Sequence, residues 1–523
     1  MLHLLTHAFA PLTISPFRPG ADVNRRLILS AHDPPMSEAL HARFATGLRH
    51  LEAGRPEQAL AAFRRVLAGD PSHTGAWRNL IRALAATGDH AAVLTETTRA
   101  LRLAPESAEL RFLRGTALNA LGRAAEARVV LEQALSLNPN SAAAWLNLGN
   151  AHAELDDLTR AEAHCRQARV LDPRLIEAHI SLGYLLTRQG RTAEAILVLE
   201  AALRCAPDNA QGHWNLAVAA LLSGDLPRGF AEYEWRKRHD RFRHDFISLP
   251  GPVWGGPGWP GPGRGDGDPF KRSSGDLSNP TILIHAEQGL GDTIQFARYA
   301  PLIAERGGKP VLACEPGLIP LLRTLPNTRI VSKFAPLPAY DAWIDQMSLP
   351  GVFGTTLETI PAPDGYLTPD PARMAAHRAS LPLGRCIGLA WSGNPLHSDD
   401  RRRTPPPGAF APLLAVPGLT VVGLVPGRTL PGVLTPPRAL TDYAETAALI
   451  AALDLVIAVD TSVAHVAGAL GRPVWVLLPH APDWRWLLSR NDTPWYRSAR
   501  LFRQPSPGDW GTVMDAVTAA LAV

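Results

Sequence analysis

The sequence predicts a two-part chain: an all-α solenoid of helical repeats, then an α/β region made of two parallel-sheet halves. Three observations carry this reading. A 34-residue period runs through the first part, a stretch dense in glycine and proline interrupts the middle, and strand-like runs alternate with helical segments after Pro280.

The period is strict. Pro71, Pro105, Pro139, Pro173 and Pro207 recur at intervals of 34 residues. Gly54, Gly88, Gly122, Gly190 and Gly224 hold another phase, with Asp156 filling the remaining place. Trp77 and Trp145 agree, as do Leu80, Leu148, Leu182 and Leu216, and Ala59, Ala127, Ala161 and Ala195. Within a unit, Ala143, Trp145, Leu146, Leu148 and Gly149 follow helical spacing, so each unit is a helix–turn–helix. Gly149 and Gly183 let its two helices approach closely, and Gly54, Gly122 and Gly190 suit a turn that needs positive φ. The proline ends the second helix. One unit cannot bury its apolar face, so neighbours stack around a concave groove.

These residues resemble the tetratricopeptide repeat family, with five full repeats over 40–207 inside a solenoid spanning 36–245. A degenerate sixth repeat starts at Asn209 and carries His213, Trp214, Leu216, Gly224, Phe230, Tyr233 and Trp235. Its aromatic residues suit a capping repeat packed on the next domain. The array's tryptophans read as core residues, as does Cys165, which replaces a large residue of the second helix. The resemblance implies that the groove recruits a protein partner or acceptor; the plainer alternative is that the array shapes or oligomerises the protein.

Bulk properties narrow the classes. Apolar content of 46% and charged content of 19% describe an ordinary globular protein. A net charge of +4, from 52 basic and 48 acidic residues, calls for neither nucleic acid nor an acidic membrane. Cys165, Cys205, Cys314 and Cys386 are far apart and form no disulfide or zinc framework. No run of roughly 18 apolar residues marks a transmembrane segment. Residues 1–35 carry their arginines after the apolar part, the wrong order for a secretory signal, and are broken by prolines. They read as a disordered extension, with Met36 suited to be the true start, and the protein is expected to be cytoplasmic.

Residues 246–280 read as a Gly/Pro-rich linker, with Trp254 and Trp259 placed to anchor it onto a domain. Beyond it, apolar runs at 281–285, 310–314, 386–391, 419–425, 455–459 and 473–478 read as strands. Segments such as 293–305 and 316–325 read as helices. This alternation implies parallel sheets with helices on both faces. It divides the region into halves at 281–380 and 384–523, with a cleft between them and ligands beyond the carboxyl ends of the strands.

Three motifs sit at strand ends. Gln288-Gly289-Leu290-Gly291-Asp292 lies between a strand and a helix, where glycines admit a ligand and a helix start favours an anion. It lacks the lysine of a P-loop, and Ile294 stands where a dinucleotide fingerprint has its third glycine. Asp460-Thr461-Ser462-Val463-Ala464-His465 offers helix N–H groups, two hydroxyls and a histidine to a diphosphate. Trp391-Ser392-Gly393-Asn394-Pro395 is followed by His397 and Asp399-Asp400-Arg401-Arg402-Arg403-Thr404, whose guanidinium groups suit a leaving diphosphate. Each has a plainer reading: an N-cap, a capped helix with a core histidine, a solvated charge run.

The stretches HAEQGLGDTIQFARY, AWSGNPLHSDDRRRT, LDLVIAVDTSVAHVAGALGRPVW and PDWRWLLSRNDTPWY together resemble bacterial repeat proteins with a glycosyltransferase domain. That domain is similar to the ADP-heptose:lipopolysaccharide heptosyltransferase family, which implies a GT-B fold of two Rossmann-like halves. The layout also resembles the O-linked N-acetylglucosamine transferases. The resemblance implies Asp292 as general base, and Asp460, Thr461 and His465 around the donor diphosphate. Ser462 departs from the glycine usual there. Donor contacts are expected from Gly289, Gly291, Ser392, Asn394, Arg401, Arg403 and Ser462. Glu445, read as preceding a helix, is placed to accept from a ribose.

The expected activity is transfer of a hexosyl or heptosyl group from a nucleotide-diphosphate sugar to an acceptor hydroxyl. The nucleotide sugar serves as co-substrate, with no metal and no further cofactor. The alternatives are an inactive repeat scaffold with a nucleotide-binding module and, more remotely, a dehydrogenase or epimerase with Glu315 on a ribose.

Overall fold

A computed structural model describes residues 37–242, 246–247, 249–255, 280–395 and 400–522. The N-terminal extension, most of the linker with Trp259, and His397 and Asp399 lie outside the described residues. The described chain forms two compact units, residues 37–189 with 197–207, and residues 190–196 with 208–522.

Five helix pairs make up the array: α1 (Glu38–Glu52) and α2 (Pro56–Gly69), α3 (Thr74–Ala86) and α4 (His90–Leu103), α5 (Ala108–Ala120) and α6 (Ala124–Leu137), α7 (Ala142–Glu154) and α8 (Leu158–Leu171), α9 (Ile176–Arg188) and α10 (Thr192–Cys205). A shorter sixth pair follows, α11 (Ala210–Ser223) and α12 (Leu226–Tyr233). Helix starts keep the period too: His73, Ser107, Ser141 and Asn209 each cap a first helix by accepting a backbone N–H.

The turn glycines take positive φ, from 66° at Gly54 to 94° at Gly224, which costs a residue without a Cβ nothing. Asp156 adopts the same conformation at 62°, and its carboxylate accepts from Arg188 at 2.7 Å. A Cβ on Gly115 would lie 2.5 Å from Leu131, and one on Gly149 2.9 Å from the Cys165 sulfur. Small residue against large is how the helices of a pair seat. At Cys165 the large partner is itself smaller; its thiol is fully buried, and burial pushes it up to about 12. Trp77 and Trp145 are half-buried rather than core, and each indole N–H donates to the loop proline carbonyl, Pro71 and Pro139, at 2.8 Å.

The α/β region holds two sheets, both wholly parallel. The first has order β3-β2-β1-β4, from β1 (Thr281–His285), β2 (Lys309–Cys314), β3 (Arg329–Ser332) and β4 (Ala342–Asp345). The second has order β6-β5-β7-β8-β9, from β5 (Arg385–Ala390), β6 (Leu419–Gly423), β7 (Leu455–Val459), β8 (Val474–Leu478) and β9 (Ala499–Arg503). Strand order reverses at β1/β4 and at β5/β7, and in such sheets a crevice opens beyond the strands at those points. The sequence reading missed β3, β4 and β9. All three are sheet edges, where a strand needs no continuous apolar run.

Two expected helices are broken. The segment 293–305 divides into α13 (Leu290–Phe296), a 3₁₀ turn at Ala297–Tyr299 and a helix at Ala300–Glu305. Pro301, which has no N–H to donate, sits at the restart. Pro320 similarly begins the short helix Ile319–Leu322.

One core joins the sixth repeat to both sheets, running from Trp214 and Phe230 through Ile282, Ile284 and Phe296 to Val456, Trp484 and Trp495. Trp254 anchors the end of the linker: its N–H donates to Trp343 O at 2.6 Å, covering the edge of β4.

Candidate functional site

The turn after β1 is built around Asp292, the third residue of α13. Its Oδ2 accepts from the Gly289 N–H at 2.8 Å, and Oδ1 pairs with Arg485. Arg485 comes from the second half, on the 3₁₀ turn Trp484–Trp486. Its guanidinium also reaches Asp483 at 2.8 Å and the Gln295 side chain at 2.6 Å, and lies 4.3 Å from the Trp484 ring centroid. One buried cation thus links an acid from each half. Burial raises the Asp292 carboxyl above the usual aspartate range, against the pull of Arg485 and the Gly289 amide. A Cβ on Gly291 would fall 2.8 Å from His465 Cδ2, so the close approach this glycine permits is to the opposite half.

After β7 the helix Ser462–Ala469 begins with Thr461 as its extended N-cap, and the Thr461 hydroxyl is buried without a hydrogen-bond partner among the described residues. Burial, reinforced by Asp483, pushes the Asp460 carboxyl up to about 6. Its backbone carbonyl accepts from Arg403 at 2.8 Å. The Ser462 hydroxyl lies 2.7 Å from that of Tyr443. His465 is buried, with Nδ1 2.9 Å from the Tyr496 hydroxyl and its ring stacked on Trp486. Burial, then the charges of Arg485 and Arg298, hold it far below the ordinary histidine range, so it is a neutral imidazole. Beyond β5, Gly393 leaves room for Arg403 and Asp400, and the Ser392 hydroxyl accepts from Arg428 at 3.0 Å.

Tetratricopeptide-repeat models match residues 50–115, 115–156, 142–173 and 177–234. The helical array is made of tetratricopeptide repeats. A model of glycosyltransferase family 9 (heptosyltransferase) matches residues 437–493, which include β7, Asp460 to His465, Asp483 and Arg485. Protein FlbA of Caulobacter vibrioides is 29% identical over 443 residues, 77% of this chain and 71% of that protein. Among solved structures, MamA from Desulfovibrio magneticus is 23% identical, covering 34% of this chain and 99% of its own, with a TM-score of 0.31. The tetratricopeptide protein TTC0263 of Thermus thermophilus is 26% identical over 35% of this chain and 99% of its own, with a TM-score of 0.32. No helix among the described residues is long and apolar enough to cross a membrane.

Within the glycosyltransferase-like region, the turns at 289–292 and 460–465 meet through Gly291 and His465, and Arg403 ties the loop after β5 to Asp460. Ser392 and Asn394 sit on that loop, while Arg401 is exposed on the turn Asp400–Arg403. Glu445 differs from the expectation: it lies inside the first turn of the helix Tyr443–Ala452, where Asp442 is the N-cap. Its carboxylate is engaged by His377 at 2.9 Å and Arg373 at 3.5 Å, both on the helix Pro371–Ser380. Sequence reasoning passed over Arg485, Arg428 and Tyr443. The signal for Arg485 was present, a cation between two tryptophans in a stretch with no helical or strand pattern.

Proposed function

We propose that the α/β region is a glycosyltransferase moving a sugar from a nucleotide-diphosphate donor to an acceptor hydroxyl, with the repeats recruiting a protein partner or acceptor. The observation that carries it is the meeting of two strand-end turns through Gly291 and His465, one holding the half-buried Asp292 carboxylate and the other the N-terminus of the helix Ser462–Ala469. The family 9 match over 437–493 supports it. Asp292 takes the proton of the acceptor hydroxyl, whose oxygen attacks the anomeric carbon. The bond from that carbon to the diphosphate oxygen breaks, and its electron pair leaves with the nucleoside diphosphate. Free N–H groups of the helix Ser462–Ala469, the Thr461 hydroxyl and the guanidinium groups of Arg403 and Arg428 meet the developing charge. On this reading the leaving group needs no metal.

The test is a donor panel followed by release of nucleoside diphosphate, with cell lysate as acceptor. Asp292→Asn is expected to lower turnover about 10²–10⁴-fold and to leave donor affinity unchanged, the range of a lost general base. Full activity in that variant would remove Asp292 from the role. The Asp292–Arg485 pair favours one rival, because an ion-paired carboxylate is a weaker base: a nucleotide-binding scaffold without turnover. Donor binding with no product from any donor would support that rival.

A further inference from the structure

We infer that the sixth repeat is a working part of the active site, with Tyr233 and Arg236 as positioning residues for the turn that carries Asp292. The kinetic half of this inference rests on the transferase reading; the structural half does not.

Arg236, in the 3₁₀ turn Glu234–Arg238 that follows α12, is fully buried. It forks onto Glu287, with Nη2 2.6 Å from Oε1 and Nε 3.2 Å from Oε2. Glu287 is itself buried and also accepts the Met347 N–H at 3.1 Å. Arg236 further binds Glu234 at 2.8 Å and the Ser348 hydroxyl at 2.9 Å, while Lys237 joins Glu234 at 2.8 Å to Asp345 at 3.1 Å. The next residue along, Gln288, sits at φ 61°, a left-handed conformation that costs a residue with a long side chain energy. Its Oε1 accepts from the Tyr233 hydroxyl at 3.1 Å. Gln288 directly precedes Gly289, whose N–H fixes Asp292.

The repeat therefore grips two successive residues immediately before the amide that orients the carboxylate. A strained conformation persists only where its surroundings over-determine it. Here part of those surroundings comes from a helical repeat, through Tyr233 and Arg236, beside the Met347 N–H that follows β4.

The experiment uses the full chain and the variants Tyr233→Phe, Gln288→Gly and the double variant. Two readouts are taken: amide hydrogen exchange of residues 286–293, and steady-state kinetics with whichever donor the wild type turns over. Tyr233→Phe removes one hydroxyl, and loss of a neutral hydrogen bond is expected to speed exchange of the 286–293 amides about two- to tenfold. Exchange in 461–469 stays unchanged. The rate constant kcat falls by a similar factor while donor KM holds. Glycine adopts positive φ freely, so in the Gln288→Gly background the Tyr233 change adds nothing. Unchanged exchange in Tyr233→Phe, or additive effects in the double variant, would overturn the inference. If the transferase reading fails, the wild type yields no product, yet the exchange readout still decides the structural half.

Discussion

The repeat array and the α/β region spend their charged residues in opposite ways. In the array most ion pairs are local and wet: Arg166 with Glu162, Arg123 with Glu126 and Arg191 with Glu194 lie within one turn of a single helix or its start. In the α/β unit the decisive pairs are buried and distant in sequence, as in Arg236 with Glu287 and Arg485 with Asp292. Local pairs decorate helices that other forces already fold. Buried distant pairs fix where one element stands against another, and leaving one half of such a pair behind is costly.

The largest test of this contrast is Arg236→Met. It leaves Glu287 buried without its cation, and urea unfolding is expected to show a loss of about 3–5 kcal/mol. A loss under ~1 kcal/mol would mean the junction relaxes or admits water, and the contrast would weaken. The middle test is Asp460→Asn. The folded Asp460 titrates near 6, above its unfolded value, so its contribution to stability is intact at low pH and declines as pH rises through about 6. The variant is expected to gain about 3 kcal/mol at pH 8 and about half that at pH 5. An equal gain at both would show that the carboxyl titrates normally. The smallest effect belongs to Arg166→Ala, whose exposed pair on α8 should be worth no more than about 0.5 kcal/mol.

Legibility in the sequence follows the same divide. The array could be read because its structure is local: a glycine at the turn, a small residue facing a large one, a proline at the exit, all repeated. Even its exception, Asp156, was visible as the one non-glycine in phase. In the α/β region β7 was read with its observed bounds because central parallel strands are continuously apolar. The edge strands β3 and β4 have only four residues each, and β3 and β9 carry arginines at their ends. The strand-end turns were legible through their glycines and hydroxyls. Glu445 was not, since its hydrogen bond with His377 depends on how two helices bring together residues 68 apart in sequence. Arg485 was missed for the same reason: its partner Asp292 lies 193 residues away.

The shared core of the sixth repeat has a consequence for synthesis. The earlier repeats make contacts mainly with their neighbours and can fold as they leave the ribosome. Trp214, Phe230 and Arg236 cannot complete theirs until β1, Glu287 and finally Trp484 have been made. At roughly 5–20 residues per second, the growing chain carries an unfinished apolar face for on the order of ten seconds or more. In that interval a chaperone has something to hold, and a nascent chain cut short before Trp484 would expose a sticky end to the cell.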